Sequence, residues 1–376
     1  MKTYKIGLIG FGFIGKVHAN AYHSIPYCYN DPAIQAKVCA VLRPHPLQDQ
    51  AVLQALDIPL CTSAEDEFWE QDLDAVDICS PNSFHYEQVL KAVEKNLAVY
   101  CEKPLTSDIE DARNLVTITE KKNSITHTAF TYRYIRAIRI AKEILENKSL
   151  GDIHHFHSRF FHSSYLDPNR PISWRLEQSV AGGGALTDLG IHFLDLIRYL
   201  LGDVGWLQCQ TRTFIDARPS GLGKTQQVDV DDWALCTLGM QGGGIGSLEV
   251  SRVSGGAGNT ALIEIYGSRG SLKIDLVNGD QVQYFDAAKD QWISGTQLAG
   301  SHSGTYYDPA MWPDGKQSLG RFMDAHTACI VDFLQFVHNK KKSPVDFRQA
   351  LAAQELLHAC YYSASQNGEK VNIRDR

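Results

Sequence analysis

Short apolar, β-branched runs alternate with helical patterns through the first 130 residues. Strands are predicted at Lys5 to Ile9, Lys37 to Val41, a short one near Leu60, Ala75 to Cys79, Ala98 to Cys101 and Ile125 to Ala129. Helices such as His85 to Glu94 and Ile109 to Lys121 lie between them. Strands that are apolar along their whole length are buried on both faces, as in the parallel sheet of consecutive βαβ units. The prediction is an α/β, doubly wound parallel sheet.

A helical stretch follows Tyr132 to Glu146, ends near Gly151, and gives way to longer strands and hairpins. Strands are expected at Ile153 to Phe161, Trp206 to Phe214, Trp233 to Leu238, Ile245 to Val250, Leu262 to Tyr266, Ser271 to Asp275 and Gln281 to Phe285. Gly267 to Gly270 and Asn278-Gly279 carry the residues that tight hairpin turns require. Residues 286 to 320 are polar and weakly periodic and read as an irregular excursion. Two helices close the chain, about Arg321 to Asn339 and Phe347 to Ser365. The expected domains are 1–130, dinucleotide-binding, and 131–376, an α+β domain with a large open, mostly antiparallel sheet and helices on one face. The active site is expected where the two meet. An open sheet face needs a cover, so a homodimer or homotetramer through the C-terminal sheet is expected.

Composition narrows the function classes. With 44% hydrophobic and 21% charged residues the chain is an ordinary globular one. A net charge of -7, with Lys and Arg dispersed, provides no footprint for a phosphate backbone, so no nucleic acid is expected. No run approaches 18 apolar residues and the start enters a strand directly, so no membrane is expected and the cytoplasm is the predicted location. Nine cysteines lie scattered without a Cys-x-x-Cys pair, so each is read as a small buried hydrophobe.

The chemistry begins at Gly10-Phe11-Gly12-Phe13-Ile14-Gly15, a G-x-G-x-x-G run directly after a strand and before a helix. Gly10 permits the tight turn, Gly12 lets the backbone approach a pyrophosphate, Gly15 allows helix and sheet to pack closely, and the helix start offers N–H donors. This is the Rossmann fingerprint. Its usual acidic partner at the end of the second strand is missing, since residues 32–48 contain no Asp or Glu. Arg43 stands there instead, and guanidinium without a carboxylate neighbour suits a 2′-phosphate, so NADP is favoured slightly over NAD. Stacking of Arg43 on adenine, with either cofactor, is the other reading.

Further along, Ser80-Pro81-Asn82-Ser83-Phe84-His85 precedes Glu102-Lys103-Pro104-Leu105. With the glycine run, Ala129 to Tyr134 and Gly183 to His192, this ordered set resembles the glucose-fructose oxidoreductase, inositol dehydrogenase and rhizopine catabolism family, Gfo/Idh/MocA, over at least residues 5 to 200. The resemblance implies that Lys103 faces nicotinamide and substrate, and that Asn82 and Glu102 lie beside the cofactor, as Ser80 and His85 of the same motif would. It implies that Asp188 and His192 complete a catalytic set with Lys103. Thr131, where relatives often have asparagine, and Ala137, where they often have proline, depart from the pattern.

Independently of family, alcohol oxidation needs a base and a cation near the developing alkoxide. Lys103 sits at the carboxyl edge of the predicted sheet, where such folds bind ligands. Asp188 and His192 are four apart on a helix whose buried stripe is Leu189, Phe193, Leu196 and Leu200, so they share a face. Asp195, one turn on, reads as a helix-surface charge. Tyr132, Tyr165, Trp174 and Arg175 offer the stacking surface and donors that polyol recognition demands. His154, His155, His157 and His162 cluster without carboxylate or cysteine partners at ligand spacing, and no metal is assigned.

The expected function is therefore an NAD(P)-dependent oxidoreductase that moves hydride between a secondary alcohol of a sugar or cyclic polyol, such as an inositol or anhydro-sugar, and nicotinamide. Its alternatives are an NAD-retaining glycosidase and a non-catalytic dinucleotide-binding sensor.

Overall fold

The computed structural model of the protein describes residues 2–29, 34–221, 223–277, 281–294 and 311–373. The chain divides into two compact units, Met1–Tyr134 with Tyr307–Leu351, and Ile135–Tyr306 with Ala352–Arg376.

In the first unit, β1 (Lys2–Ile9), β2 (Ile34–Leu42), β3 (Leu60–Thr62), β4 (Ala75–Ile78), β5 (Ala98–Cys101) and β6 (Thr126–Thr128) form one sheet in the order β3-β2-β1-β4-β5-β6. Every pairing is parallel. β4 and β5 are buried at all positions, which is why, apart from Asp77, their sequences are apolar without alternation. Strand order reverses between β1 and β4, creating the switch point at which ligands of this architecture bind. The helices are α1 (Phe13–Cys28), the short α2 (Gln50–Ala55) and α3 (Glu65–Trp69), α4 (His85–Glu94) and α5 (Ile109–Lys121). α5 shows why its boundaries were readable. Asp108 caps it by accepting from the N–H groups of Glu110 and Asp111, acids fill the first turn, and Lys121 ends it.

In the second unit, α6 (Arg136–Glu146) leads into β7 (Ile153–His162). The helical run from α7 (Gln178–Ala181) through a π turn at Leu186–Gly190 to α8 (Ile191–Leu201) follows. This run has the length and hydropathy of a membrane span, yet 78% of that window is buried within the protein, as in a core helix. β8 (Val204–Arg212) precedes a hairpin of β9 (Ala217–Gly221) and β10 (Lys224–Gln227) that forms its own small sheet. Then come β11 (Trp233–Met240), β12 (Ile245–Ser251), β13 (Asn259–Gly267), β14 (Gly270–Asp275), β15 (Gln281–Asp286) and β16 (Gln291–Ser294).

After α9 (Arg321–Asn339), which belongs to the first unit, α10 (Phe347–Ser365) carries the boundary between units within it, and β17 (Val371–Asn372) ends the order. The nine-stranded sheet runs β16-β15-β14-β13-β7-β12-β11-β8-β17. Only β7 and β12 pair in parallel, and the other described pairings are antiparallel.

Alternation decides which face of that sheet is covered. Phe156, Ser158 and Phe160 of β7 point inward while His155, His157 and Arg159 point out, and Ala261, Ile263 and Ile265 of β13 continue the inner face. Phe193 of α8 packs on Phe160 with ring centroids 5.6 Å apart. On the same face, Cys209 and Cys236 sit opposite each other on β8 and β11 with sulfurs 3.0 Å apart, and Cys360 of α10 lies 3.7 Å from Cys236.

All nine cysteines are free thiols; seven are buried, but Cys39 and Cys61 are only partly so, correcting the uniform expectation. The expected excursion at 286–320 contains β16, and its residues 295–310 lie outside the described set, as does the Asn278-Gly279 turn.

Candidate functional site

Gly10 has φ +90°, and a Cβ there would come within 2.7 Å of the Cys79 carbonyl. A Cβ at Gly15 would lie 2.1 Å from the Gly10 carbonyl oxygen, so only glycine lets α1 start against this loop. Gly12 is different, because a Cβ there would meet no protein atom within 4 Å. Gly12 caps α1, no side chain accepts from the first turn, and that turn holds no acid. A turn with uncapped N–H donors, open on the side of Gly12, fits a pyrophosphate. Phe11 is buried, Ile14 is half-buried, and Phe13 is 73% exposed.

Arg43 follows β2 and donates its backbone N–H to the Thr62 carbonyl. Its guanidinium lies over the Phe11 ring at 5.6 Å and is bound to Asp49 at 2.8 Å, while Lys16 reaches the other Asp49 oxygen at 2.7 Å. The premise that Arg43 has no carboxylate neighbour is therefore corrected. The loop after β2 folds back, with Asp49 in the left-handed region at φ 59° heading α2, and returns the missing acid from six residues downstream.

Ser80 donates its hydroxyl to Gln88, and Asn82 is buried in a single turn before α4. His85 is fully buried, its Nε2 3.0 Å from the Ser80 carbonyl and its Nδ1 3.1 Å from the Pro104 carbonyl, so it ties together the loops after β4 and β5. The Lys103–Pro104 peptide is cis. β5 ends at Cys101, so Lys103 stands just past its carboxyl end, and the Lys103 N–H donates to Glu102 Oε2 at 3.0 Å.

Burial opposes ionisation of Glu102, but the hydrogen bond and charge of His18, then the charges of Lys103 and His326, hold its carboxyl down at about 2. His18, on the buried face of α1, has no surface exposure. Burial disfavours its charge as well, yet Asp77 and Cys79 hold the imidazole pKa well above its ordinary value. Tyr132 is half-exposed in a buried turn, beside buried Thr131 and Arg133.

In the second unit, Asp188 and His192 are the two partly exposed positions in an otherwise buried run from Gly183 to Leu194. Asp195 does not lie on the surface; it is 1% exposed, because α8 is buried on nearly all sides and leaves no solvent face one turn on.

One acid and one guanidinium that sequence reasoning missed organise this segment. Asp231 accepts from Gly184 N–H at 2.9 Å, Leu186 N–H at 2.8 Å and the Tyr361 hydroxyl at 2.7 Å, holding the glycine turn against the strand entry. Arg252, 1% exposed, donates to the Gly184 carbonyl at 2.9 Å and the Arg175 carbonyl at 3.2 Å, and its guanidinium lies 3.5 Å from Asp188. Tyr165 is 5% exposed, with the guanidinium groups of Arg170, Arg252 and Arg218 at 4.2, 4.9 and 5.8 Å from its ring. Trp174 and Arg175 are half-buried and stack on each other at 4.3 Å. His155 is stacked on Tyr266 at 4.7 Å on the outer sheet face, with His157 5.3 Å away.

Comparison with known proteins gives these features a lineage. Residues 4–130 match the family described as "Oxidoreductase family, NAD-binding Rossmann fold", and residues 138–273 match its C-terminal domain. The chain is 30% identical to levoglucosan dehydrogenase of Pseudarthrobacter phenanthrenivorans, over 87% of this chain and 88% of that one. It is 29% identical to myo-inositol 2-dehydrogenase of Thermotoga maritima, over 76% and 80%. A solved levoglucosan dehydrogenase in complex with NADH and levoglucosan superposes with a TM-score of 0.90 at 27% identity, covering 99% of this chain and all of that one, 100%. Motifs, fold and relatives agree that the chain belongs to the Gfo/Idh/MocA family of oxidoreductases with an NAD-binding Rossmann domain.

Proposed function

We propose that Lys103, Asp188 and His192 carry the transfer of hydride between a secondary alcohol of a sugar or cyclic polyol and nicotinamide. The observation that supports this most is the site of Lys103, one residue beyond Glu102 at the carboxyl edge of the parallel sheet, beside the strands that flank the switch point. A bound nicotinamide supplies the hydride acceptor. The Gly10 to Gly15 turn binds its pyrophosphate, with Ser80, Asn82, His85 and Glu102 shaping the loops around it. The hydroxyl proton passes to Lys103 Nζ or to the His192 imidazole. Asp188, fixed by Arg252, orients the histidine or holds a neighbouring hydroxyl. Tyr132, Trp174 and Arg175 contact the substrate. Tyr165, packed beneath its three guanidinium groups, shapes the surface on which they stand.

An anhydro-sugar is the substrate class we favour, because the relative similar along most of the chain acts on levoglucosan. Between cofactors, the Arg43–Asp49 pair places a carboxylate where NADP would bring a 2′-phosphate, so NAD is the better fit in the paired state. The free thiols fit a reducing compartment, the cytoplasm. The outer face of the nine-stranded sheet, with Leu235 and Ile245 exposed among its polar residues, is our assignment for homodimer or homotetramer contact, and a monomer by sedimentation refutes it.

The direct test is growth of the reduced-nicotinamide band with NAD or NADP and a panel of anhydro-sugars, monosaccharides and inositols. Stoichiometric growth with one class supports the dehydrogenase. Bound cofactor with a flat signal refutes it, and release of sugar from an aryl glycoside in that case identifies a glycosidase. K103A is expected to abolish transfer while leaving cofactor binding nearly intact.

A further inference from the structure

Behind Lys103 lies a buried polar cluster that the reaction as described leaves without a role. His18 Nδ1 is 3.1 Å from both oxygens of Asp77, and its Nε2 is 3.5 Å from Glu102 Oε1. The same Nε2 is 3.3 Å from His326 Nδ1, and Cys79 Sγ is 3.1 Å from His18 Nδ1. Glu102 then reaches outward, its other oxygen accepting the Lys103 N–H. We infer that His18 is a positioning residue for Lys103: anchored by Asp77, it grips one Glu102 oxygen so that the other holds the peptide carrying the lysine. The inference rests on Lys103 acting at the reacting carbon.

Charge balance supports the geometry. Two carboxylates buried in a Rossmann core need a cation between them, since an unpaired buried charge is far more costly than an apolar substitute. A doubly protonated His18 donates from both nitrogens, one to Asp77 and one to Glu102 and His326. That arrangement requires His326 to accept, and burial together with the His18 charge keeps His326 neutral, its pKa down at about 3. Tyr22 from α1, Tyr100 from β5 and Cys329 from α9 complete the surround. Each is buried and pushed away from ionisation, so none of them supplies charge at neutral pH.

Replacing His18 by glutamine removes the cation and keeps a polar side chain. Glu102, still buried, then keeps only the weaker influence of Lys103 and His326 and takes up a proton more readily, and its grip on the Lys103 peptide weakens. In H18Q, the proposal expects the Glu102 carboxyl, followed by ¹³C-carboxyl resonance in the cofactor-free protein, to titrate at least about one pH unit above wild type. It expects kcat to fall about tenfold or more, with the dissociation constant for NADH within about threefold, because the Gly10 to Gly15 turn is untouched. If H18Q does not fold, the isosteric D77N loosens the anchor and delivers the same readouts.

A Glu102 resonance that stays ionised as in wild type, an unchanged kcat, or a kcat lost together with NADH affinity overturns the proposal. If wild type itself oxidises no sugar, the role of Lys103 fails instead, while the Glu102 titration still decides whether His18 governs that carboxyl.

Discussion

Two glycines of one turn are expected to fail in opposite ways when changed to alanine. At Gly15 the added methyl would lie 2.1 Å from the Gly10 carbonyl oxygen, where ordinary contacts begin at 3.4 Å, so strand end and helix start must separate by more than 1 Å. The obstacle is backbone, which no rotamer change relieves, and the cost is about 3 kcal/mol or more. At Gly12 the methyl meets nothing, and the backbone, at φ −76° and ψ −156°, suits any residue. Alanine is a poorer helix cap than glycine, but it also restricts the unfolded chain. These effects, each about 0.5–1 kcal/mol, nearly cancel.

What G12A loses is the approach of a pyrophosphate to the backbone, and we expect its NADH dissociation constant to rise at least about tenfold, or 1.4 kcal/mol. Thermal melts without cofactor, beside NADH fluorescence titrations, separate the two. G15A should melt lower by about 5 °C or more and G12A within about 2 °C of wild type. A G12A protein that binds NADH normally, or one that melts as low as G15A, refutes the assignment of this turn.

Three further outcomes follow from the same structure. D49N should free Arg43 for a 2′-phosphate and raise the NADP to NAD ratio of kcat/KM at least about fivefold, with R43D moving it the other way; a ratio unmoved by both excludes this pair from cofactor choice. R252K keeps the charge but loses the fork that holds the Gly184 and Arg175 carbonyls, so kcat/KM should drop about 100-fold, and wild-type turnover would remove Arg252 from the site. His127 and His326, both fully buried, have pKa values lowered to about 3, the first by burial and then Arg133, the second by burial and then His18. Their contribution is full above the unfolded value near 6.5 and is lost as pH falls towards 3, on the order of 5 kcal/mol together by pH 4.5. Glu102 loses its own contribution only below about 4.5, and His18, whose contribution grows as pH falls but is already full below about 6.5, offsets only the small part of the loss above that pH. A urea midpoint equal at pH 7 and pH 4.5 would contradict it.

Periodicity carried much of the fold. His85 to Glu94 and Ile109 to Lys121 were legible to the residue, and the helices at Arg321 to Asn339 and Phe347 to Ser365 approximately, since each carries a helical pattern bounded by turn or capping residues. β10 was not, because all four of its positions are exposed and a strand with no buried face has no alternation to read. Nor was β17, a pair of residues added to a sheet edge.

Motifs located the glycine turn and supplied Lys103, Asp188 and His192 as the candidates for catalysis. Asp231 and Arg252 escaped because their partners are 47 and 68 residues away in sequence and neither stands in a motif. Asp49 escaped because a loop, not a strand end, delivers it. His18 did carry a signal: it shares the apolar face of α1 with Gly15, Ala19 and Tyr22, a place where an unpartnered imidazole is expensive.

The return of residues 307–351 to the first unit has a consequence for biosynthesis. Tyr100 hydrogen-bonds Cys329, Tyr134 hydrogen-bonds Asp332, and His326 closes on His18, so the interior of the dinucleotide-binding half is built partly from α9. A ribosome delivers α9 only about 300 residues after the glycine turn. The nascent Rossmann half must therefore wait, with His18, Tyr100 and His127 uncovered, while every strand of the nine-stranded sheet except β17 is synthesised. The domain is thus no detachable cassette. Grafting residues 1–134 onto another protein would transplant the phosphate-binding turn without the helix that seals the core behind it.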